Sequence, residues 1–377
     1  MHIGVLGAGQ LGRMLALAGY PLGFRFTFLD PTPDSPASQV APQLTAAYDD
    51  PKALGHLGTA DVVTYEFENV PDAAAASIEA HTRLCPNSTA LRVSQDRLLE
   101  KSAFRQLGIA TADFANVTTR QELEIAFGEI GTPSILKTRR YGYDGKGQQR
   151  LLQADAGQAA FDALGQVPCL LEKLVPFARE LSLLCVRTDS GQMAFYPLVQ
   201  NIHHEGILRV TLAPAPSLTP ELQRLAEGYA QKLLQHLDYA GVLALELFQT
   251  NGQLLANEFA PRVHNSGHFT IEGAVTSQFE NHLRAITNLP LGDTSIRGSV
   301  AMLNLVGNMP EASSILAHRD AHWHDYGKTP RAGRKLGHVT MVANSEAERS
   351  QLIADIEPIL VASGALPANV VPGSDSG

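Results

Sequence analysis

The chain of 377 residues is 44% hydrophobic and 18% charged, enough apolar content for two or three packed domains and too much for a disordered one. Its formal charge of −9 speaks against nucleic-acid binding, and no apolar run approaches the roughly 20 residues that a membrane span needs. Cys85, Cys169 and Cys185 lack zinc-type spacing and are odd in number, so reduced, packed thiols are expected rather than a disulfide framework. The chain opens on a strand-like run with no secretion signal ahead of it, and a cytoplasmic location is expected.

Residues 1–96 read as a small α/β unit. Ile3 to Gly7 is a short buried strand, followed by Gly7-x-Gly9-x-x-Gly12 and a helical run from Arg13. Phe24 to Leu29 is a second strand ending at Asp30, and Asp61 to Tyr65 is a third, leading to Glu66 and Glu68. Glycines after a strand let backbone amides approach an anion at a helix N-terminus. With Asp30 they admit a dinucleotide reading, but any phosphate would serve. Pro86-Asn87-Ser88 opens a helix of linker character.

Residues 97–290 carry more chemistry. Asp96-Arg97 starts a helix that runs through Lys101, and Ser134 to Lys137 is a strand ending in a cation. After it comes a loop holding Gly142, Tyr143, Asp144, Gly145, Lys146, Gly147 and Gln148, and then a returning strand. A glycine-rich hairpin bracketed by Lys137 and Lys146 suits the cover of a polyphosphate: amides donate, cations neutralise, glycines allow movement. An ordinary Asp-Gly surface turn is the plainer alternative. Cys169 to Val175 is an apolar strand whose end presents Glu172, Lys173, Leu174 and Val175. It suits an adenine, with Glu172 or Glu180 for a ribose, although a salt-bridged surface glutamate reads equally well. His203-His204-Glu205-Gly206 reads as a polar loop.

Two apolar runs, one carrying Glu246 and the other Asn257-Glu258, flank Asn251-Gly252, a strong hairpin signal. A strict two-residue turn would set Glu246 opposite Asn257 and turn Glu258 to the other face. Glu246 opposite Glu258 requires an odd-length loop, such as a turn with Gly252 in a bulge, and then makes a site for a hard divalent cation. Otherwise the two are unrelated solvated glutamates. Arg262, His264, Asn265, Ser266 and Gly267 follow just past the strand end, where a second substrate fits. In residues 291–377, Lys328, Arg331, Arg334 and Lys335 crowd a turn-rich stretch before a strand, and suggest an anion in an otherwise acidic chain.

Gly7-Ala8-Gly9-Gln10-Leu11-Gly12-Arg13-Met14, Asp96-Arg97, Lys137, residues 142–148, Glu246, residues 257–268 and residues 333–338 together resemble the ATP-grasp superfamily, and within it the N5-carboxyaminoimidazole ribonucleotide synthetases of purine (IMP) biosynthesis. Most ATP-grasp enzymes carry Asn two residues after the metal-binding Glu. Ala260 stands there, as in this branch.

The resemblance implies an ATP-grasp fold, mixed α/β and α+β. A Rossmann-like pre-ATP-grasp domain would span 1–96, the ATP-grasp domain 97–290 and a small C-terminal domain 291–377. It implies that Arg97, Lys137, the 142–148 loop, Glu172 to Val175, Glu180, His203, Asn257 and Glu258 hold ATP, and that Glu246 and Glu258 hold Mg²⁺. Tyr143, Asp144, Arg262 and His264 to Gly267 would surround 5-aminoimidazole ribonucleotide, with Gln10, Glu66, Lys328, Arg334 and Lys335 completing that pocket. Asp144, Arg262, His264 and Lys137 would carry the chemistry. The reaction implied is ATP-dependent carboxylation by bicarbonate through carboxyphosphate, giving ADP and phosphate, in a cytoplasmic homodimer that uses no NAD, zinc or biotin. The rival readings are another ATP-grasp ligase, a formate-using transformylase or a biotin carboxylase-like enzyme, and a nicotinamide-dependent dehydrogenase.

Overall fold

The computed structural model describes residues 1–142, 145–368 and 370. Tyr143 and Asp144 therefore lie outside the described residues. Among the described residues the strands form three sheets. β1 (His2–Leu6), β2 (Arg25–Asp30), β3 (Gln43–Thr45) and β4 (Val62–Tyr65) run parallel in the order β3-β2-β1-β4. Parallel strands are covered on both faces, which is why Ile3 to Leu6 and Val62 to Tyr65 read as continuous buried runs.

A second, antiparallel sheet is built from β5 (Phe114–Val117), β6 (Ser134–Thr138), β7 (Gln148–Leu151) and β8 (Cys169–Lys173), in the order β5-β8-β6-β7. The third sheet takes the rest. Its strands are β9 (Arg179–Arg187), β10 (Met193–Phe195), β11 (Val199–His204), β12 (Ile207–Ala213), β13 (Gly241–Thr250), β14 (Gln253–Ala260), β15 (Ser299–Val306), β16 (Ala321–Asp325) and β17 (Lys335–Ala343). The order is β14-β13-β9-β11-β12-β15-β17-β16, with β10 paired to β9. One sheet thus runs from the hairpin that carries Glu246 to the strands after residue 290.

The helix Pro220–His236 shows how the core is specified. Thr219 caps its first turn, Pro220 fits the first position, and Leu222, Ala226, Ala230 and Leu233 fall at helical spacing. They pack on Leu183 of β9 and on Leu243, Leu245 and Leu247 of β13, behind the strand that carries Glu246. The three cysteines are free and buried. No described helix is long and apolar enough to cross a membrane.

The first and third sheets meet at His282, on the helix Gln278–Ile286. Val242 N–H donates to its Nδ1 (3.1 Å), so Nε2 carries the proton and donates to Thr64 Oγ1 (2.9 Å). Burial brings its pKa from 6.5 down to about 3. The unfolded chain binds this proton below pH 6.5 and the native fold refuses it. Stability from this site is therefore complete above pH 6.5 and is lost toward pH 3, at about 1.4 kcal/mol per pH unit. Melting temperatures followed from pH 7 to 5 are expected to fall, and His282→Gln, whose amide can both accept and donate, is expected to flatten that slope. A variant with the wild-type slope would remove His282 as its source.

Candidate active site

The β13–β14 hairpin presents the two carboxylates. Thr250 pairs with Gln253, and Asn251 and Gly252 both have positive φ (48° and 74°), so the loop has two residues of the kind that follows strand twist. This corrects the expectation of an odd-length loop. The register instead shifts within the strand: Leu247 faces Ala256 while Glu246 faces Glu258, leaving Asn257 as the extra residue of a bulge. The two glutamates share a face because of that bulge.

Each carboxylate already has a cationic or hydrogen-bonding partner. Glu246 Oε1 lies 3.1 Å from His264 Nε2. Burial pulls the Glu246 carboxyl up, but the hydrogen bond and charge of His264, then His203 and Arg262, hold it at about 2. The Ser266 backbone and hydroxyl lie against His264 Nδ1 (3.3 and 2.8 Å), which orients the ring with Nε2 facing Glu246. Ser266 itself is fully buried and serves His264 rather than the cavity. Glu258 Oε2 accepts from Arg97 at 2.8 Å. Arg262 pairs with Glu68, a residue read in the sequence only as a neighbour of Glu66.

Toward the second sheet, Lys137 Nζ bonds Glu172 Oε2 at 2.7 Å, and Lys101 Nζ lies 3.4 Å from Oε1. Burial raises the Glu172 carboxyl, yet the charges of Lys101 and Lys137 outweigh it and hold it at about 2. Glu172 is therefore a buried counter-ion and not a surface glutamate. The strand end offers the cavity Glu172, Lys173, Leu174 and Val175, with Phe177 stacked on Phe248 (centroids 4.6 Å apart) beside them. Glu180 pairs with His203, which stands on β11. The polar loop expected at residues 203–206 is shorter than read: His203 and His204 are in the strand, and Glu205-Gly206 alone make the turn.

The first glycine motif binds an anion, but the anion is the protein's own. Gly9 N–H and Gly12 N–H both donate to the Glu66 carboxylate, and a Cβ at Gly7 would stand 2.5 Å from Glu66 Cγ. Asp30 Oδ2 accepts from Ala8 N–H and from Tyr48. Both features of the dinucleotide reading are thus spent internally. Gln10 meets Lys328, whose pKa burial lowers to about 8, with Arg334 and Lys335 adding to the fall against the opposing pull of Glu66.

One cavity of about 1280 Å³ joins these groups. It runs from Lys173, Leu174 and Val175 past Arg97, Lys137, Glu246, Asn257 and Glu258 to Arg262, His264, Asn265, Glu66, Gln10, Lys328 and Lys335. Gly142, Gly145, Lys146 and Gln148 line it as well. Gly147, Ser266, Gly267 and Arg334 do not. Gly147 has φ 71° and a Cβ there would meet Thr138 Oγ1, whereas Gly267 is packed against Gln278 and Leu184. Asn257 Oδ1 and both polar atoms of the Asn265 side chain are buried with no protein partner. Buried amides without partners mark places where a ligand or water completes the bonding.

Glu246, Glu258 and the Asn257 oxygen form an all-oxygen donor set, the chemistry of a hard divalent cation. No cluster of three or more His, Cys, Asp or Glu groups with metal-site geometry occurs among the described residues. A cation here would thus draw further ligands from substrate phosphates, as magnesium does.

Comparison with known proteins agrees with this arrangement along the whole chain. The ribonucleotide synthetase preATP-grasp domain matches residues 1–95, the ATP-grasp domain residues 102–279, and the phosphoribosylaminoimidazole carboxylase C-terminal domain residues 300–352. The N5-carboxyaminoimidazole ribonucleotide synthase of Pseudomonas aeruginosa is 50% identical over 363 residues, covering 96% of this chain and all of that one. The crystal structure of the synthetase from Thermus thermophilus superposes with a TM-score of 0.93 at 49% identity, covering 97% of this chain and 99% of that one. The Aspergillus clavatus synthase, solved with ADP and 5-aminoimidazole ribonucleotide, superposes with a TM-score of 0.89 at 31% identity over 97% of this chain and 99% of that one. The chain belongs to the N5-carboxyaminoimidazole ribonucleotide synthase family of ATP-grasp proteins.

Proposed function

We propose that this protein carboxylates 5-aminoimidazole ribonucleotide at the expense of ATP, giving N5-carboxyaminoimidazole ribonucleotide, ADP and phosphate. The observation that carries this reading is one cavity of about 1280 Å³ whose lining brings together Lys173 to Val175, the paired Glu246 and Glu258, and the basic Lys328 and Lys335. Lys173 to Val175, Phe177 and Phe248 take the base, and Glu180 with His203 takes the ribose. Lys137, Arg97 and the 142–148 loop take the phosphates. Lys328, Lys335, Gln10 and Glu66 take the ribonucleotide phosphate and sugar, while Arg262, His264 and Asn265 face its reactive end.

Glu246, Glu258 and Asn257 would hold Mg²⁺, which when bound neutralises charge on the phosphates. The chain's own groups do the rest. Lys137 and Arg97 orient the γ-phosphate for attack by bicarbonate, and a closed 142–148 loop keeps water from the carboxyphosphate that forms. His264, held by Ser266, keeps its Nε2 directed at Glu246. The resemblance gives Asp144 the task of orienting or deprotonating the ribonucleotide's exocyclic amine. We also propose a division into 1–96, 97–290 and 291–377, a homodimer and a cytoplasmic location.

ADP formation measured with bicarbonate, with and without 5-aminoimidazole ribonucleotide, tests the reading. Product formation with bicarbonate and none with formate is expected. NADH binding without any effect of ATP would refute the proposal in favour of a dehydrogenase. Asp144→Asn is expected to keep ATP affinity within about tenfold, roughly 1.4 kcal/mol, and to abolish carboxylation. Wild-type carboxylation in that variant would leave Asp144 a turn residue. Amide exchange at Gly145 to Gln148 is expected to slow when magnesium and an ATP analogue bind, because the loop must then settle over the phosphates. Unchanged exchange would exclude the covering role.

A further inference from the structure

β14 is an edge strand of the third sheet, and beyond an isolated bridge between Ala256 and Thr111 its outward N–H and C=O groups face no neighbouring strand among the described residues. Buried backbone groups of this kind need partners. The helix Arg97–Gln106 supplies them with charged side chains. Phe259 N–H donates to Glu100 Oε1 at 2.7 Å. Lys101 Nζ donates to the Ala256 carbonyl at 3.3 Å. Ala256 N–H donates to the Ala110 carbonyl at 2.7 Å, just past the end of the same helix. These bonds fall on both sides of Asn257-Glu258, the segment that holds the bulge.

The helix presents these groups on one face. Arg97, Glu100 and Lys101 lie at i, i+3 and i+4, and Arg97 binds the Glu258 carboxylate itself. Glu100 and Lys101 are 2% and 1% exposed. Placing two charged side chains there is expensive unless a fold needs their bonds. An apolar pair would cover the edge equally well but would leave the Phe259 N–H buried without its acceptor and would take the ammonium from the Ala256 carbonyl, leaving only the Thr111 bridge to hold that end.

The bulge is also the only reason that the carboxylates meet. With the observed two-residue turn, a regular ladder would place Asn257 opposite Glu246 and would turn Glu258 away. We infer that Glu100 and Lys101 are positioning residues for the reaction: they grip β14 on either side of Asn257-Glu258 and hold the bulged register that presents Glu258 beside Glu246. Lys101 extends the grip to the nucleotide end, because its ammonium also lies 3.4 Å from the carboxylate that holds Lys137. The inference rests on the proposal that Glu246 and Glu258 hold the divalent cation.

The test is the free Mg²⁺ concentration that gives half-maximal ADP formation, measured for Glu100→Leu, Lys101→Met and Glu100→Gln, with Glu258→Gln as control. Groups that orient metal ligands cost about 10–100-fold in metal affinity or activity when removed. Glu100→Leu and Lys101→Met are expected to raise the half-saturating Mg²⁺ by at least about tenfold, with KM for the ribonucleotide within about twofold, as loss of a local register predicts and general destabilisation does not. Glu100→Gln keeps an oxygen that accepts from Phe259 N–H, and is expected to stay within about threefold of wild type.

Wild-type Mg²⁺ dependence in folded Glu100→Leu and Lys101→Met, alongside an impaired Glu258→Gln, overturns the clamp and leaves the cation reading standing. Wild-type dependence in Glu258→Gln overturns both. If the variants do not fold, exchange of the Phe259 amide in the unaltered, metal-free protein decides. Protection equal to that of the β13 ladder amides supports the clamp, and exchange at the rate of an open edge overturns it.

Discussion

Glu246→Gln and Glu258→Gln are each expected to lower turnover by at least about 10²-fold at saturating magnesium, the cost of losing charge stabilisation in a phosphoryl-transfer site. Both variants are expected to fold. A glutamine oxygen still accepts from Arg97 at position 258, so that variant is expected to melt close to wild type without metal, whereas Glu246→Gln gives up a carboxylate held at about 2 and is expected to melt lower. What each variant loses is the negative charge that a hard cation prefers. The rise in melting temperature that Mg²⁺ and ADP together produce is expected to shrink in parallel with turnover. Initial rates and a thermal-shift series measure the two effects. Near-normal turnover in both variants would end the assignment of these carboxylates to a metal, whatever the hairpin geometry.

The two glutamates show which part of such a site a sequence can reveal. Their existence on paired strands follows from two apolar runs and Asn251-Gly252, because turn chemistry and period-two burial are local. Their meeting does not follow, because the bulge at Asn257 is held by Glu100, Lys101 and Ala110, groups far away in sequence. A sequence reading places the register shift in the turn, the only local device available, and the structure places it inside the strand. The same limit applies to His203. The run His-His-Glu-Gly looks like one polar loop, but only Glu205 and Gly206 take positive φ, and pairing with β12 draws both histidines into the sheet. A sequence signal for Glu100 and Lys101 did exist. Arg97, Glu100, Lys101 and Phe104 fall on one helical face, and charges that share a face with a core phenylalanine are buried charges with partners. The resemblance makes Glu66 a candidate pocket residue, but nothing local in the sequence marks it as the carboxylate that occupies the glycine motif's own amides.

Glu172→Leu is expected to be among the most destabilising single substitutions in the central region, by about 3–5 kcal/mol, the usual cost of breaking a buried ion pair by removing one partner. The carboxylate is 3% exposed and holds two ammonium groups, Lys137 at 2.7 Å and Lys101 at 3.4 Å, themselves 8% and 1% exposed. Without it two cations face each other, largely buried, at the wall of the cavity. The pKa agrees in size: a carboxyl brought from 4.5 to about 2 corresponds to roughly 3 kcal/mol. The sign is fixed as well. A depressed carboxyl contributes fully above pH 4.5 and loses its contribution as pH falls toward 2, so the gap between wild type and variant narrows in acid. Denaturation midpoints at pH 7.5 and pH 3.5 measure both. Adding Lys101→Met to Glu172→Leu removes one of the stranded charges and is expected to restore part of the loss, a non-additive result that contacts of simple packing do not give. Equal midpoints for wild type and Glu172→Leu at pH 7.5 would show that the lysines find other partners, and that the triad contributes nothing to the fold. ATP affinity is expected to fall in the same variant even where it remains folded, because Lys137 then lacks the carboxylate that aims its ammonium at the phosphates.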